Sequence, residues 1–192
     1  MPAMTPKSAV ALKEWAVLCK ALEEGRQTLL IRKGGIAEKK GDFEVEHREF
    51  FFFPTYFHQK PGDLVESARA DVTALEKSAP PESEIHVRLF ATVEDALFVP
   101  KQESVGRLAG LHLYSDSCLD MRFHYRNKPG LWALVLRVYK LPQETIVPNT
   151  KDYAGCISWV GLDAPLSTAG AKAVLSDAEF EAQRRKIKEA LG

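Results

Sequence analysis

The sequence predicts an α+β fold: a single domain with a mixed, mainly antiparallel sheet and flanking helices. Three observations lead there. Short apolar runs rich in β-branched and aromatic residues, at 28–32, 43–53, 85–90 and 131–141, read as strands. Stretches with apolar residues at helical spacing against a charged face, most plainly 62–77 and 176–191, read as helices packed on that sheet. No repeat or low-complexity segment divides the 192 residues, a length sufficient for one continuous core. Residues 1–7 are expected to be a disordered leader, and residues 8–192 one domain that ends in the helix 176–191.

Taken in order, residues 9–22 mix helical spacing with local alternation. A helix ending at a left-handed Gly25 is one reading, and a strand over 15–22 with a hairpin turn at 23–26 is the other. Thr28 to Arg32 is a buried strand closed by Gly34-Gly35, and Ala37 to Asp42 a charged loop. From Phe43 the residues alternate, then run into Phe50-Phe51-Phe52-Phe53, a pattern that suits a strand covered on both faces, with Pro54 as its stop. Asp63 is placed to cap a helix over 62–77, which Pro80-Pro81 terminates. Strands are expected at 85–90 and 96–99, with a turn possible between them at 92–96. A helix interrupted by Gly106 and Gly110 is expected over 103–112, and further strands at 131–141 and 156–162. Ser176 and Glu179 form the capping box of the last helix.

Composition narrows the function classes. Twenty-six basic side chains balance 26 acidic ones, for a formal net charge of zero. Such a balance argues against a histone-like or polybasic membrane-surface protein while leaving room for a local basic patch. Cys19, Cys118 and Cys156 are odd in number and widely spaced, so neither a disulfide framework nor a cysteine zinc site is expected, and a cytoplasmic setting follows. Neither a signal peptide nor a bilayer-spanning apolar run is visible, and no cofactor is indicated.

The segments Trp15-Ala16-Val17, Gly25-Arg26-Gln27, Leu29 through Ile36, Glu46 through Phe50, Phe53-Pro54-Thr55, His58-Gln59 and Leu136 through Tyr139 together resemble the bacterial family catalogued as domain of unknown function 1802. The resemblance covers most of the chain from about Leu12 to Trp159. Because some members of that family are linked to a restriction-endonuclease-like domain, it implies an association with nucleic acid and with restriction-modification.

Candidate ligand-binding residues lie in three groups. Arg32 and Lys33 precede two glycines whose amides can approach a phosphate, though the spacing is not that of a Walker loop, and a plain surface turn is the alternative. Glu46, His47, Arg48 and Glu49 precede the phenylalanine run, and Thr55, Tyr56, His58 and Gln59 follow it. A histidine beside a carboxylate can act as a base, whereas an ion-paired strand is the plainer reading. His124 and Arg126 would join a polar cluster if their segment adjoins that strand. Rings at Tyr56, Phe57, Phe123 and Tyr125, interleaved with Arg122, Arg126 and Lys128, are the mixture that stacked bases require.

Two enzyme templates fail on the residues. The magnesium-binding carboxylates of a Nudix hydrolase are missing from 69–76, and Glu38-Lys39-Lys40 matches a nuclease motif in letters but sits in a glycine-bounded loop. Three readings follow: a nucleic-acid-associated accessory module, a hydrolase of phosphate-containing substrates using a His/Glu cluster, and a structural or partner-binding protein.

Overall fold

The computed structural model describes residues 4–33, 38–39, 42–43, 47–155 and 157–192. The first 12 of these already correct one expectation. β1 (Lys7–Trp15) is a strand, and α1 (Ala16–Glu23) begins at the next residue, so the helix occupies only the second half of the stretch assigned to it. Local alternation at Val10, Leu12 and Glu14 was the strand signal, and pairing of β1 on both sides overrode the helical composition. Gly25 does take the left-handed conformation, at φ 68°, and a Cβ there would meet the Leu175 side chain at 2.6 Å.

The sheet continues through β2 (Leu29–Arg32), β5 (Glu49–Thr55), β6 (Glu84–Val99), β7 (Leu131–Pro148), β8 (Trp159–Ser167) and β9 (Lys172–Ala173), while β3 (Glu38–Lys39) and β4 (Asp42–Phe43) pair with each other in what was expected to be a loop. Seven strands share one mixed sheet in the order β2-β7-β6-β5-β1-β8, with β9 added to β7. Only β1 and β5 run parallel among the described strands, so the sheet is mainly antiparallel as expected.

The four phenylalanines sit at the middle of this order and supply both cores. Phe50 and Phe52 belong to a large cluster with α1, β2 and the helices, whereas Phe51 and Phe53 belong to a second cluster with Ile85, Val87, Leu141 and Val160. Period-two alternation makes that division automatic. Pro54 does not stop the strand: it pairs in register with Glu14, and β5 runs one residue further. β5 pairs with β6 only over 49–51, so the missing proline donor falls where that ladder has already ended.

β6 and β7 are each far longer than expected, at 16 and 18 residues, and the proposed turn at 92–96 is strand throughout. Register shifts at Val87/Leu89 and Val93/Asp95 bend the pair. Because one extra residue exchanges the two faces, Ile85 and Val87 point into the second core while Leu89, Ala91 and Val93 point into the first. A single long hairpin thereby lines both.

The helices are α2 (Glu66–Lys77), α3 (Gln102–Gly106), α4 (Asp116–Phe123) and α5 (Asp177–Leu191). Asp63 is not the cap of α2; it ends a 3-10 turn over Pro61–Asp63, and Val65 precedes the helix without a side-chain bond. α3 is a short remnant of the expected 103–112 helix. By contrast, α5 begins on the expected Ser176–Glu179 capping box. Near the N-terminus, the Thr5 carbonyl accepts from Thr168 and the Thr5 side chain bonds Glu49. Among the described residues no helix is long and apolar enough to cross a membrane.

Candidate functional site

The carboxyl ends of β1 and β5 lie side by side, Trp15 in register with Thr55. From there the backbones diverge, one into α1 and the other into the turn 56–60. Divergence beyond the ends of these two parallel strands opens a crevice. Here it holds two adjoining cavities. A cleft of about 870 Å³ runs from Trp15 and Phe53–His58 across to Glu84–His86, Thr150, Lys151 and Tyr153–Gly155. A recess of about 270 Å³ is lined by Lys13, Glu14, Trp15, Arg32, Lys33, Thr55 and Arg122. Lys13, Trp15 and Thr55 line both.

The recess is also the seam of the curled sheet. Arg32, on the edge strand β2, reaches across to the β1 carbonyl of Lys13 at 3.3 Å, to the Glu14 carboxylate at 2.7 Å and to Ser158, just before β8, at 2.8 Å. Glu14 is 5% exposed, so Arg32 neutralises a carboxylate that has almost no water. Lys33 is held by the carbonyls of Phe123 at 2.7 Å, Gly130 at 2.9 Å and Lys128. Burial, with the nearby charge of Lys128, pushes the Lys33 ammonium below its usual range. The Arg122 guanidinium lies 4.7 Å from the Trp15 ring centre and 4.6 Å from that of Tyr114, and donates to the Ile31 carbonyl at 3.2 Å. Two rings and a carbonyl thus fix its plane.

The cleft is the larger and the more apolar of the two. Phe57 stands 64% exposed at its mouth, beside His58, which adopts φ 65°. Tyr56 is half-buried, and burial raises its hydroxyl above the ordinary tyrosine range. Gln59 turns inward instead: it is 3% exposed, and its Oε1 accepts from the Val17 amide in the first turn of α1 at 3.3 Å. The side chain therefore holds the crevice wall in place.

One constellation, at the edge of the cleft where it meets a neighbouring cavity, was not singled out from the sequence. His86 lies between two carboxylates, Nε2 at 3.1 Å from Glu84 and Nδ1 at 3.0 Å from Glu144, and Arg88 in turn bonds Glu144. Against burial, which would raise it, Arg88 holds the Glu144 carboxyl below its usual range. Glu84 and His86 share one strand face by period two, so half of this cluster was legible; Arg88 sits at the register shift between Val87 and Leu89, and Glu144 arrives from β7 with no local signal.

The expected site residues separate accordingly. Thr55, Tyr56 and His58 line the cleft, Arg32 and Lys33 the recess, and Gln59 lies behind them. His47 is at the opposite end of β5, its ring 5.0 Å from that of Trp159, and Glu49 there accepts from Thr5 at 3.2 Å. Arg48 gives its carbonyl to Val93 at 2.8 Å. His124 pairs with Asp120 at 3.4 Å, and Arg126 stacks on its neighbour Tyr125. Glu46, Lys40 and the pair Gly34-Gly35 lie outside the described residues. Six steps of extended chain, about 20 Å, part Glu49 from Thr55, so the two polar flanks of the phenylalanine run do not form one site. Among the described residues no three His, Cys, Asp or Glu are placed to hold a metal. Arg122 was legible as a cation beside aromatics, but its partners are Trp15 and Tyr114 rather than Phe123 and Tyr125.

Residues 11–186 match the family model described as Domain of unknown function (DUF1802). The chain belongs to that family. Among solved structures, this DUF1802 chain is similar to the crystal structure of ASCH from Zymomonas mobilis, at 15% identity over 94% of this chain and 93% of that one, with a TM-score of 0.42. A point mutant of the same protein is 12% identical over 92% of this chain and 96% of that one, with a TM-score of 0.40. A comparison with curated proteins gives no match.

Proposed function

We propose that the protein is a nucleic-acid-associated module that binds a single-stranded segment in the crevice between β1 and β5. The observation that carries this reading is the continuity of recess and cleft through Lys13, Trp15 and Thr55. Among the described residues, four cationic side chains stand on one side against a single carboxylate; on the other stand rings, with Phe57 exposed, and Glu76, Glu82 and Glu84 line the cleft beyond them. Phosphates require the first and unstacked bases the second. A formal net charge of zero means the attraction is local, confined to the crevice.

Binding of a labelled single-stranded RNA or DNA, followed by fluorescence anisotropy, tests the proposal. Affinity should fall as salt rises, since each phosphate contact releases counterions. No binding at low salt overturns it. In this reading the protein works beside a restriction-modification system, and its co-purification with a restriction or methylation subunit from the native host is the corresponding check.

A second reading, a hydrolase of phosphate esters, is favoured by His86. A ring oriented by Glu144, itself fixed by Arg88, becomes a base in the cleft when the half-exposed Glu84 moves aside. Turnover lost on His86→Gln but retained on His47→Gln would support it; equal activity of both variants would remove it.

A further inference from the structure

Resting on the nucleic-acid reading, we infer that the recess takes a terminal phosphate of the strand, a phosphomonoester, and that Arg122 is the residue that selects it. The argument begins with charge. Lys13, Arg32, Lys33 and Arg122 face a cavity of about 270 Å³ whose one acid among the described residues, Glu14, is already committed to Arg32 at 2.7 Å. Even with that pair cancelled, Lys33 and Arg122 stand with Lys13 around a space that has room for a phosphate group.

An internal phosphodiester carries one negative charge and offers two unesterified oxygens. A terminal phosphomonoester carries between one and two charges near neutral pH and offers three. The second matches the excess better.

Geometry argues in the same direction. Lys33 is caged by three carbonyls and Lys13 by two, those of Tyr153 and Gly155, so both supply field at fixed positions. Arg122 differs in that its plane is set by Trp15 and Tyr114, with Nη1 donating to the Ile31 carbonyl. A planar donor fork held still before any ligand arrives is suited to bidentate contact with phosphate oxygens. Trp15 lines the recess and the cleft alike, so a strand end seated at Arg122 continues past that ring towards Phe57. Thr55 stands at the same junction, although its hydroxyl donates to the Glu14 carbonyl at 3.2 Å.

The experiment uses the full chain and short single-stranded oligonucleotides of one sequence, in RNA and DNA forms. Each carries a hydroxyl or a monophosphate at one end and the fluorophore at the other, and both polarities are made. A monophosphate at one of the two ends should strengthen binding about tenfold or more, the effect of a charge-assisted bidentate contact. The corresponding nucleoside monophosphate should compete where the nucleoside does not, and inorganic phosphate should compete more weakly than either strand. Arg122→Gln should bring the two ends to one common affinity, weaker than that of the phosphorylated strand on the unaltered protein. Lys13→Gln, a change at a partly exposed side chain, should reduce the difference between the two ends and serves if Arg122→Gln fails to fold.

Equal affinity for phosphorylated and unphosphorylated strands overturns this inference and leaves the nucleic-acid reading standing. Failure of every strand to bind overturns both. Competition by inorganic phosphate equal to that of the nucleotide would reduce the site to a simple anion pocket and also overturn it.

Discussion

The recess and the cleft share a wall yet are built on opposite terms. In the recess, Glu14, Arg32, Lys33 and Arg122 are bonded to one another or to backbone carbonyls from three other segments, and the same bonds close the sheet. At the cleft mouth, Phe57 and His58 project from a turn and hold little else in place. The difference teaches that charge in this crevice is preorganised while its aromatic surface is adaptable. Residues of the first kind should cost stability when altered, and those of the second should cost only binding.

The sharpest break is Arg32→Ala. It strands a buried carboxylate at the seam and should destabilise the fold by about 3 to 5 kcal/mol, measured by denaturant unfolding. Phe50→Ala and Phe51→Ala, one from each core, should cost a similar amount, about 3 to 5 kcal/mol each. A loss below about 1 kcal/mol for Arg32→Ala would mean that the seam does not close the sheet.

Next in size is a pH effect on the recess side. His112, 5% exposed against the Tyr114 ring, is pushed down by burial from 6.5 to about 4, with Asp116 opposing. An unfolded histidine gains its proton near pH 6.5 and the folded one only near pH 4, so between these values the unfolded state holds more protons. This contribution is whole above pH 6.5 and is lost as pH falls towards 4, by about 3 kcal/mol. His112→Phe should flatten that part of the stability profile, and an unchanged slope would show that carboxylates elsewhere set it.

Phe57→Ala separates the two regions most directly. Stability should move by no more than about 0.5 kcal/mol, while binding of a single strand weakens by about 1 to 3 kcal/mol. The smallest expected effect is remote from both regions. Ser176→Ala removes the capping box of α5 and should cost about 1 kcal/mol with no change in binding, which makes it a control for stability alone.

What the sequence carried by itself was whatever one element could state. Four consecutive phenylalanines announced a strand covered on both faces, because alternation leaves no exposed side for any of them. Ser176 with Glu179 fixed the start of α5, because a cap is a contact over three residues. Arg32, Lys33, Thr55, Tyr56 and His58, set apart as ligand-binding candidates by residue type, line the two cavities. Length of pairing was not legible: β6 and β7 extend each other well past their own apolar runs, and their bulges depend on the partner strand. Nor was the division of the polar residues. Only the tertiary structure places Glu14 beside Arg32, Trp15 beside Arg122 and Glu144 beside His86, and it leaves His47 at the far end of the strand that both flanks share. Charges meet across the seam because the sheet curls, and curling is a property of all its strands together.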